Sequence, residues 1–309
     1  MKKTLTPLLR PRYWPTWLAI GALRALQPLP HAVHVFLGRA LGGLAVRLPL
    51  PFVRIARTNL GICMPELLEP QREALLKEHF KSLGLGIFET ATAWWGSKRR
   101  IARLTQLEGL EHLRAALERG RGAILLSAHF TTLEIGGRVL CDRLSGEINI
   151  MYRPTNNAVL ERFLARNRSN RTKRAIPRDD IRTLITALKA NEPVWYAPDQ
   201  AYRKKGAEMV PFFGIPAATN TATSRLARMT GAAVLPYFQE RMLDGRYRMV
   251  IYPMLENFPS DDPAADARRF NELIEAQVRR VPDQYLWIHR RFKGLTADYP
   301  DYYKRKRAS

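Results

Sequence analysis

The chain has little cysteine: Cys63 and Cys141 are the only two in its 309 residues. Neither belongs to a closely spaced pair of metal ligands or redox thiols, so the sequence excludes a disulfide-rich fold and predicts no metal site. Two isolated thiols in a chain of this length favour a reducing compartment. There is no internal repeat, and the hydrophobic fraction of 46% is ordinary for a globular protein.

Acidic residues are also scarce. The chain has 28 Asp and Glu residues and 50 Lys and Arg residues, which gives a formal net charge of +22 spread along the chain. Such an imbalance predicts an anionic partner. Nucleic acid, an anionic bilayer, a phosphorylated ligand and an acidic carrier protein all satisfy it, so charge alone does not choose among them.

A long uninterrupted apolar run is missing from the amino-terminal region. A helix that spans a bilayer needs about 20 apolar residues, but Arg24 interrupts the apolar stretch 13–23 and prolines follow. Residues 13–53 therefore predict broken amphipathic helices at a membrane interface, with Trp14 and Trp17 at the level of the lipid headgroups. The alternative is a pair of core helices joined by a proline-rich link.

The rest of the chain alternates between helical and strand-like patterns. Apolar residues recur at helical spacing over 70–95 and again over 110–119, and the short apolar run 123–127 has the character of a buried parallel strand. This alternation predicts an α/β fold, a largely parallel sheet flanked by helices. Further strands are predicted at 148–152, 194–197, 233–238 and 247–252, and further helices at 158–167, 181–190, 221–229 and 263–280.

His129 and Glu134 follow the predicted strand 123–127, where ligands gather in such sheets. On a continuous helix the two side chains would be about 140° apart, so they meet only if His129 lies in the preceding turn. A carboxylate bonded to one imidazole nitrogen fixes the tautomer and leaves the other nitrogen free to take a proton from an alcohol. The alternative is a structural histidine in a half-buried polar position.

Five sequence blocks, taken in order, carry a resemblance over residues 123–293. They are Ala-His-Phe-x-x-x-Glu around His129 and Glu134; Tyr152-Arg153-Pro154 with Asn156-Asn157; Pro198-Asp199-Gln200; Val210-Pro211-Phe212-Phe213-Gly214 with Pro216-Ala217-Ala218; and Tyr285 to Lys293. In these blocks the chain resembles the late acyltransferases of lipid A synthesis, the lauroyl and myristoyl transferase family. It departs from them at 201–206, where the family often has a second Asp and a Gly, and this difference concerns contacts with the acceptor.

The resemblance implies a reaction and a set of roles. The family transfers an acyl chain from acyl carrier protein to the hydroxyl of a 3-hydroxyacyl group on a phosphorylated lipid A precursor, without a metal or cofactor. It implies that His129 is the general base, that Glu134 orients it, and that Arg153 and Asp199 belong to the substrate-binding site, although Arg153 has the alternative of a plain surface cation. Phe212 and Phe213 would line an acyl tunnel or else belong to the core.

The basic run 162–178 adds a further expectation. It contains Arg171 and predicts a docking surface for phosphate groups or carrier protein; its alternative is a solvated face. The apolar stretches and flanking basic residues predict a membrane-associating segment over 1–60. The resemblance implies a glycerolipid acyltransferase-like sandwich over 61–309 and a location on the cytoplasmic face of a bacterial inner membrane. The basic end at 304–307 predicts attraction to an anionic membrane.

Two rival functions remain open at this point. A glycerolipid or other glycolipid acyltransferase shares the His-x4-acid pattern, but Glu134 and the absence of a Pro-Glu-Gly-Thr type block count against it. A nucleic-acid-binding protein fits the charge, yet the chain has no nucleic-acid motif and its apolar amino-terminal stretches would be unexplained.

Overall fold

The computed structural model describes residues 6–304 and contains a seven-stranded sheet and a separate two-stranded hairpin. The sheet strands are β1 Thr105–Glu108, β2 Ala123–Leu126, β3 Asn149–Tyr152, β4 Arg174–Pro177, β5 Pro193–Tyr196, β8 Ala233–Arg241 and β9 Tyr247–Ile251. The hairpin is β6 Ala207–Phe212 with β7 Ile215–Asn220. The sheet order is β1-β9-β8-β2-β5-β3-β4, and every pair is parallel except β8 with β9.

Helices cover both faces of this sheet. They are α1 Trp14–Leu26, α2 His31–Ala45, α3 Pro51–Cys63, α4 Glu69–Trp95, α5 Lys98–Leu104, α6 Leu110–Glu118, α7 Leu133–Arg143, α8 Ala158–Ser169, α9 Ile181–Lys189, α10 Ala222–Thr230 and α11 Pro263–Arg280, preceded by short 3₁₀ turns at Thr6–Leu9 and Pro11–Tyr13. Side-chain caps fix the start of several of them; Asn157 accepts from the amides of Val159 and Leu160 at α8, for example.

Strand β2 lies between two hydrophobic cores, one on each face of the sheet. Successive side chains of a strand point to opposite faces, and Ile124 and Leu126 lie in one hydrophobic cluster while Ala123 and Leu125 lie in the other. The first cluster includes residues of α3, α9, α10 and α11, and the second includes residues of α5, α6 and α7. Burial on both faces explains the continuous apolar run and confirms the predicted parallel α/β sheet.

The amino-terminal helices pack closely against the rest of the chain. A Cβ on Gly42 of α2 would lie 1.8 Å from the carbonyl oxygen of Phe80, and one on Gly38 would lie 2.5 Å from the Cα of Leu85. The backbones of α2 and α4 therefore touch at these glycines. Within residues 6–304, no helix combines the length and apolar composition that crossing a membrane would require. Of the predicted basic end, 305–307 lie outside the described residues.

The close contact between α2 and α4 leads to a prediction about stability. We expect Gly42→Ala to lower the free energy of unfolding by about 1–3 kcal/mol, because the added methyl group forces α2 away from α4. Gly43→Ala is the matched control: nothing lies within 4 Å of the added Cβ, so we expect a gain of up to about 1 kcal/mol from helix propensity. Chemical denaturation of both variants measures the difference, and equal effects would contradict the close packing.

Candidate active site

Two neighbouring parallel strands bring His129 and Asp199 together. Strand β2 ends at Leu126 and β5 at Tyr196, these two residues are paired in register, and His129 and Asp199 are each the third residue after their strand. Because the carboxyl ends of parallel strands share one edge of the sheet, both side chains reach the same place. The sheet order, with β2 beside β5, is therefore the origin of the site.

Asp199 holds the imidazole of His129 through a short hydrogen bond. The distance from Nδ1 of His129 to Oδ1 of Asp199 is 2.5 Å, and Oδ2 accepts from the backbone N–H of His129 at 3.0 Å. The hydroxyl of Tyr285 donates to Oδ2 at 3.3 Å. Asp199 is only 3% exposed, so these bonds fix a buried carboxylate, and Nε2 is the ring nitrogen of His129 that remains available.

The two groups shift each other's proton affinity. Burial alone would lower the pKa of His129, but the charge of Asp199 and its hydrogen bond outweigh burial and raise this pKa above its ordinary value. Burial likewise would raise the pKa of Asp199, but attraction to His129 lowers it. The carboxylate therefore stays ionised and favours the imidazolium that forms when His129 takes a proton.

The segment that follows α11 also holds the loop that carries His129 in place. The backbone N–H of Leu286 donates to the carbonyl of His129 at 3.0 Å, and Phe130 forms an antiparallel bridge with Tyr285. Nε2 of His289 accepts from the amide of Ala201 at 3.1 Å; burial lowers the pKa of His289 to about 4, which keeps the ring neutral. Tyr285 and His289 belong to the last of the five sequence blocks, but a motif does not show which residues its members contact, so the sequence predicts no role for either.

A cavity of about 870 Å³ lies beside His129, whose side chain is 29% exposed. Among the described residues, six arginines and two acidic residues line it, together with an apolar wall. The arginines are Arg138, Arg153, Arg168, Arg171, Arg178 and Arg225; the acids are Glu134 and Asp179; the apolar wall includes Ala93, Trp94, Leu133 and Ile150. The cavity therefore combines a surplus of positive charge with apolar surface.

Glu134 lines the same cavity but is bonded elsewhere. Its carboxylate accepts from Nε1 of Trp94 at 3.1 Å and lies 3.5 Å from the guanidinium of Arg168. Within the described residues, the expected hydrogen bond between His129 and Glu134 is not formed. Nδ1 of His129 is bonded to Asp199 instead. The reason is geometric: Nδ1 of His129 points toward the loop after β5, whereas Glu134 lies on the first turn of α7 and reaches α4 and α8.

Arg168 connects this wall to the neighbouring strand. Its guanidinium carbon lies 4.9 Å from the ring centre of Tyr152, a cation–π distance. The buried Nη1 of Arg168 has no hydrogen-bond partner within the part of the chain that the structure describes. A buried donor without a partner is rare, and here it belongs to a residue that lines the cavity.

The remaining predicted site residues divide into two groups. Arg153 is exposed where β3 ends and lines the cavity, and Arg171 lines it while donating to the carbonyl of Trp94 at 2.6 Å. Phe212 and Phe213 are not part of the lining: Phe212 packs in the core against Tyr285 and Phe292, and Phe213 packs against Trp287. Asp199 contacts His129 rather than the cavity. No group of His, Cys, Asp and Glu within 6–304 is arranged to hold a metal ion.

Comparison with known proteins gives a consistent result. Residues 1–294 match the family model described as bacterial lipid A biosynthesis acyltransferase. The chain is 39% identical over 305 residues to the lipid A biosynthesis lauroyltransferase of Escherichia coli K12, covering 98% of this chain and 99% of that protein. It is 40% identical over 291 residues to the palmitoleoyltransferase of the same strain, covering 92% and 93%. The myristoyltransferase of that strain is 28% identical over 300 residues, covering 96% and 92%.

A parallel α/β sheet with a histidine and a carboxylate at its carboxyl edge, beside a large cavity, has the architecture of an enzyme. The comparisons specify which kind. The chain belongs to the bacterial lipid A biosynthesis acyltransferases, and it is therefore an acyltransferase of lipid A biosynthesis. The resemblance found in the sequence blocks is confirmed.

Proposed function

We propose that this enzyme transfers an acyl chain from acyl carrier protein to the hydroxyl of a 3-hydroxyacyl group on a phosphorylated lipid A precursor, with His129 as the general base. The observation that carries the proposal is the 2.5 Å bond between Nδ1 of His129 and Asp199, which leaves Nε2 as the proton acceptor beside the cavity. The family membership supports the acceptor class.

The proton and the bonds balance in a direct transfer. Nε2 of His129 takes the proton of the acceptor hydroxyl while its oxygen attacks the thioester carbon, and an ester bond forms as the carbon–sulfur bond breaks. The imidazolium, stabilised by Asp199, then returns the proton to the departing thiolate. This scheme needs no nucleophilic side chain and no covalent acyl-enzyme.

In this proposal Asp199 takes the orienting role that the sequence analysis assigns to Glu134. Glu134 is held by Trp94 and Arg168 on the cavity wall. We propose that it fixes the substrate-facing side of the site and keeps the guanidinium of Arg168 in place. Both carboxylates then contribute to the rate, but only Asp199 sets the proton affinity of His129.

Anionic substrates fit the charge around the cavity. Arg153 and Arg225 are exposed, and Arg178 is half-buried, with its Nε 3.8 Å from the carboxylate of the adjacent Asp179. Guanidinium groups bind phosphate through paired N–H donors. We propose that these residues bind the phosphates of the acceptor or guide the acidic carrier protein, and that the net charge of +22 attracts both.

The first two helices support a position at a membrane surface. Their outer faces carry large apolar side chains that do not enter the core: Trp14 is 60%, Leu18 74% and Phe36 71% exposed. Arg12 and Arg24 are exposed near them. An exposed apolar patch with flanking cations suits the headgroup region of an anionic leaflet. We propose that α1 and α2 lie on the cytoplasmic face of the bacterial inner membrane.

A vesicle-binding experiment tests this placement. We expect the double change Leu18→Glu and Phe36→Glu to reduce binding of the full chain to vesicles of anionic phospholipid by tenfold or more, because each burial of a large apolar side chain is worth about 1.5–3 kcal/mol. Met254→Glu is the control, since Met254 is exposed beside Arg119 rather than on α1 or α2. Equal binding by all three proteins would contradict the proposed membrane face.

The reaction itself is tested with purified enzyme and an acyl carrier protein thioester. We expect acylation of a phosphorylated glucosamine disaccharide that bears 3-hydroxyacyl chains, and none of the matched compound whose chains lack the hydroxyl. A 1-acylglycerol phosphate provides the comparison with a glycerolipid acyltransferase. Preferential acylation of that glycerolipid, or acylation of the compound without the hydroxyl, would overturn the proposal.

A further inference from the structure

Gly137 occupies an interior position of helix α7, and its backbone conformation does not require a glycine. Glycine weakens a helix interior because it lacks a side chain and has more backbone freedom to lose. The neighbouring Gly136 is explained by packing, since its Cβ would lie 3.1 Å from Gln239 and 3.2 Å from the hydroxyl of Tyr237. A Cβ on Gly137 would meet nothing within 4 Å.

The empty space beside Gly137 belongs to the cavity that holds His129. Gly137 is half-buried and lines this cavity, as do Leu133 and Cys141 at the same helical spacing. Helix α7 begins four residues after His129. At 1.5 Å per residue, Gly137 is about 6 Å and Cys141 about 12 Å farther along the axis than Leu133. Gly137 therefore widens the cavity at a distance from the reacting centre.

The apolar part of the wall near Gly137 suits a hydrocarbon chain. The guanidinium of Arg171, which also lines the cavity, is bonded to the carbonyl of Trp94 at 2.6 Å. Ala93 and Trp94 of α4 and Ile150 of β3 also line the cavity. Arg138 follows Gly137, but its guanidinium is occupied, with bonds to Asp142 at 2.7 Å and to the carbonyls of Ala93 at 2.6 Å and Gly96 at 3.1 Å. Its charge is thus directed into the protein.

We infer that the space beside Gly137 receives the distal part of the donor acyl chain and that the missing side chain at Gly137 sets the longest chain the enzyme accepts. The inference rests on the proposed function, because the thioester carbon must lie near His129. A chain that starts there and runs along α7 passes Leu133 before it reaches Gly137. A side chain at 137 shortens this path without touching the reacting groups.

The test is a competition among acyl carrier protein thioesters of increasing even chain length, with wild type, Gly137→Ala and Gly137→Leu. We expect both variants to shift their preference toward shorter chains, the leucine variant more strongly. The ratio of shorter to longer chain transferred rises by tenfold or more for Gly137→Leu, since each methylene that a pocket rejects is worth about 10-fold or more in discrimination. The single methyl group of Gly137→Ala keeps the test valid if the leucine variant folds poorly.

Gly61 provides the matched control. It lies on α3, is exposed, and a Cβ there also meets nothing within 4 Å. Gly61→Ala and Gly61→Leu should keep the wild-type chain-length profile, and Gly137→Ala should melt no lower than wild type because alanine favours the helix. An unchanged donor profile in the Gly137 variants would overturn the inference. Wild-type enzyme that transfers from no thioester would instead refute the proposed function.

Discussion

His129→Ala is expected to lower kcat by about 10²–10⁴-fold, the range that a positioned general base contributes. The proposal gives His129 this role because its Nε2 is the ring nitrogen not bonded to Asp199. KM should change little, since the base acts mainly in the transition state. Steady-state acyl transfer by the purified variant measures both constants.

The control for this experiment is another histidine. His112→Ala changes a half-buried ring on α6, away from the cavity lining, and should leave kcat at the wild-type value. Thermal melting of both variants shows whether the fold is retained. A folded His129→Ala enzyme with wild-type kcat would exclude His129 as the base.

Asp199→Asn is expected to lower kcat by about 10²–10⁴-fold and to shift the pH dependence that remains. Burial pulls the pKa of His129 down and Asp199 more than compensates, so the native pKa is raised. A base must be neutral to act, and wild-type activity should therefore fall as the pH drops through this raised pKa. Without the carboxylate the pKa of His129 decreases, and the acid limb should move to lower pH.

Glu134→Gln is the comparison that separates the two carboxylates. Glu134 is bonded to Trp94 and Arg168, so the variant should lose rate on the order of 10²-fold through misplacement of that wall. Its acid limb should stay where it is in wild type. His289 should not contribute to this acid limb, because burial lowers its pKa to about 4. A shift of the limb in Glu134→Gln, and none in Asp199→Asn, would reverse the assignment of roles.

Much of the fold follows from local sequence patterns. The helix predicted at 70–95 is α4 Glu69–Trp95, and the strand predicted at 123–127 is β2 Ala123–Leu126. The sequence patterns do not predict the hairpin of β6 and β7, because Pro211 and Pro216 lie opposite each other in strands where proline is unusual. Strand β4 begins with the exposed Arg174 at the sheet edge and lacks a continuous apolar run.

The partner of His129 shows what the sequence could not provide. Glu134 is five positions away and matches a family motif, so proximity along the chain favours it. Asp199 is separated from His129 by 70 positions and reaches it only because β5 lies next to β2 in the sheet. Strand order is a property of the packed fold, and periodicity within single elements does not encode it. The same holds for Phe212 in the core and for the half-buried Phe213, whose positions depend on Tyr285, Phe292 and Trp287.

Heteronuclear NMR of the labelled histidine rings tests the central claim most directly, with the His129 signals identified by their loss in His129→Gln. The account predicts that the neutral ring of His129 carries its proton on Nδ1, and that its pKa lies above that of a free histidine and falls in Asp199→Asn. A neutral ring protonated on Nε2, or a pKa that Asp199→Asn does not change, would contradict it.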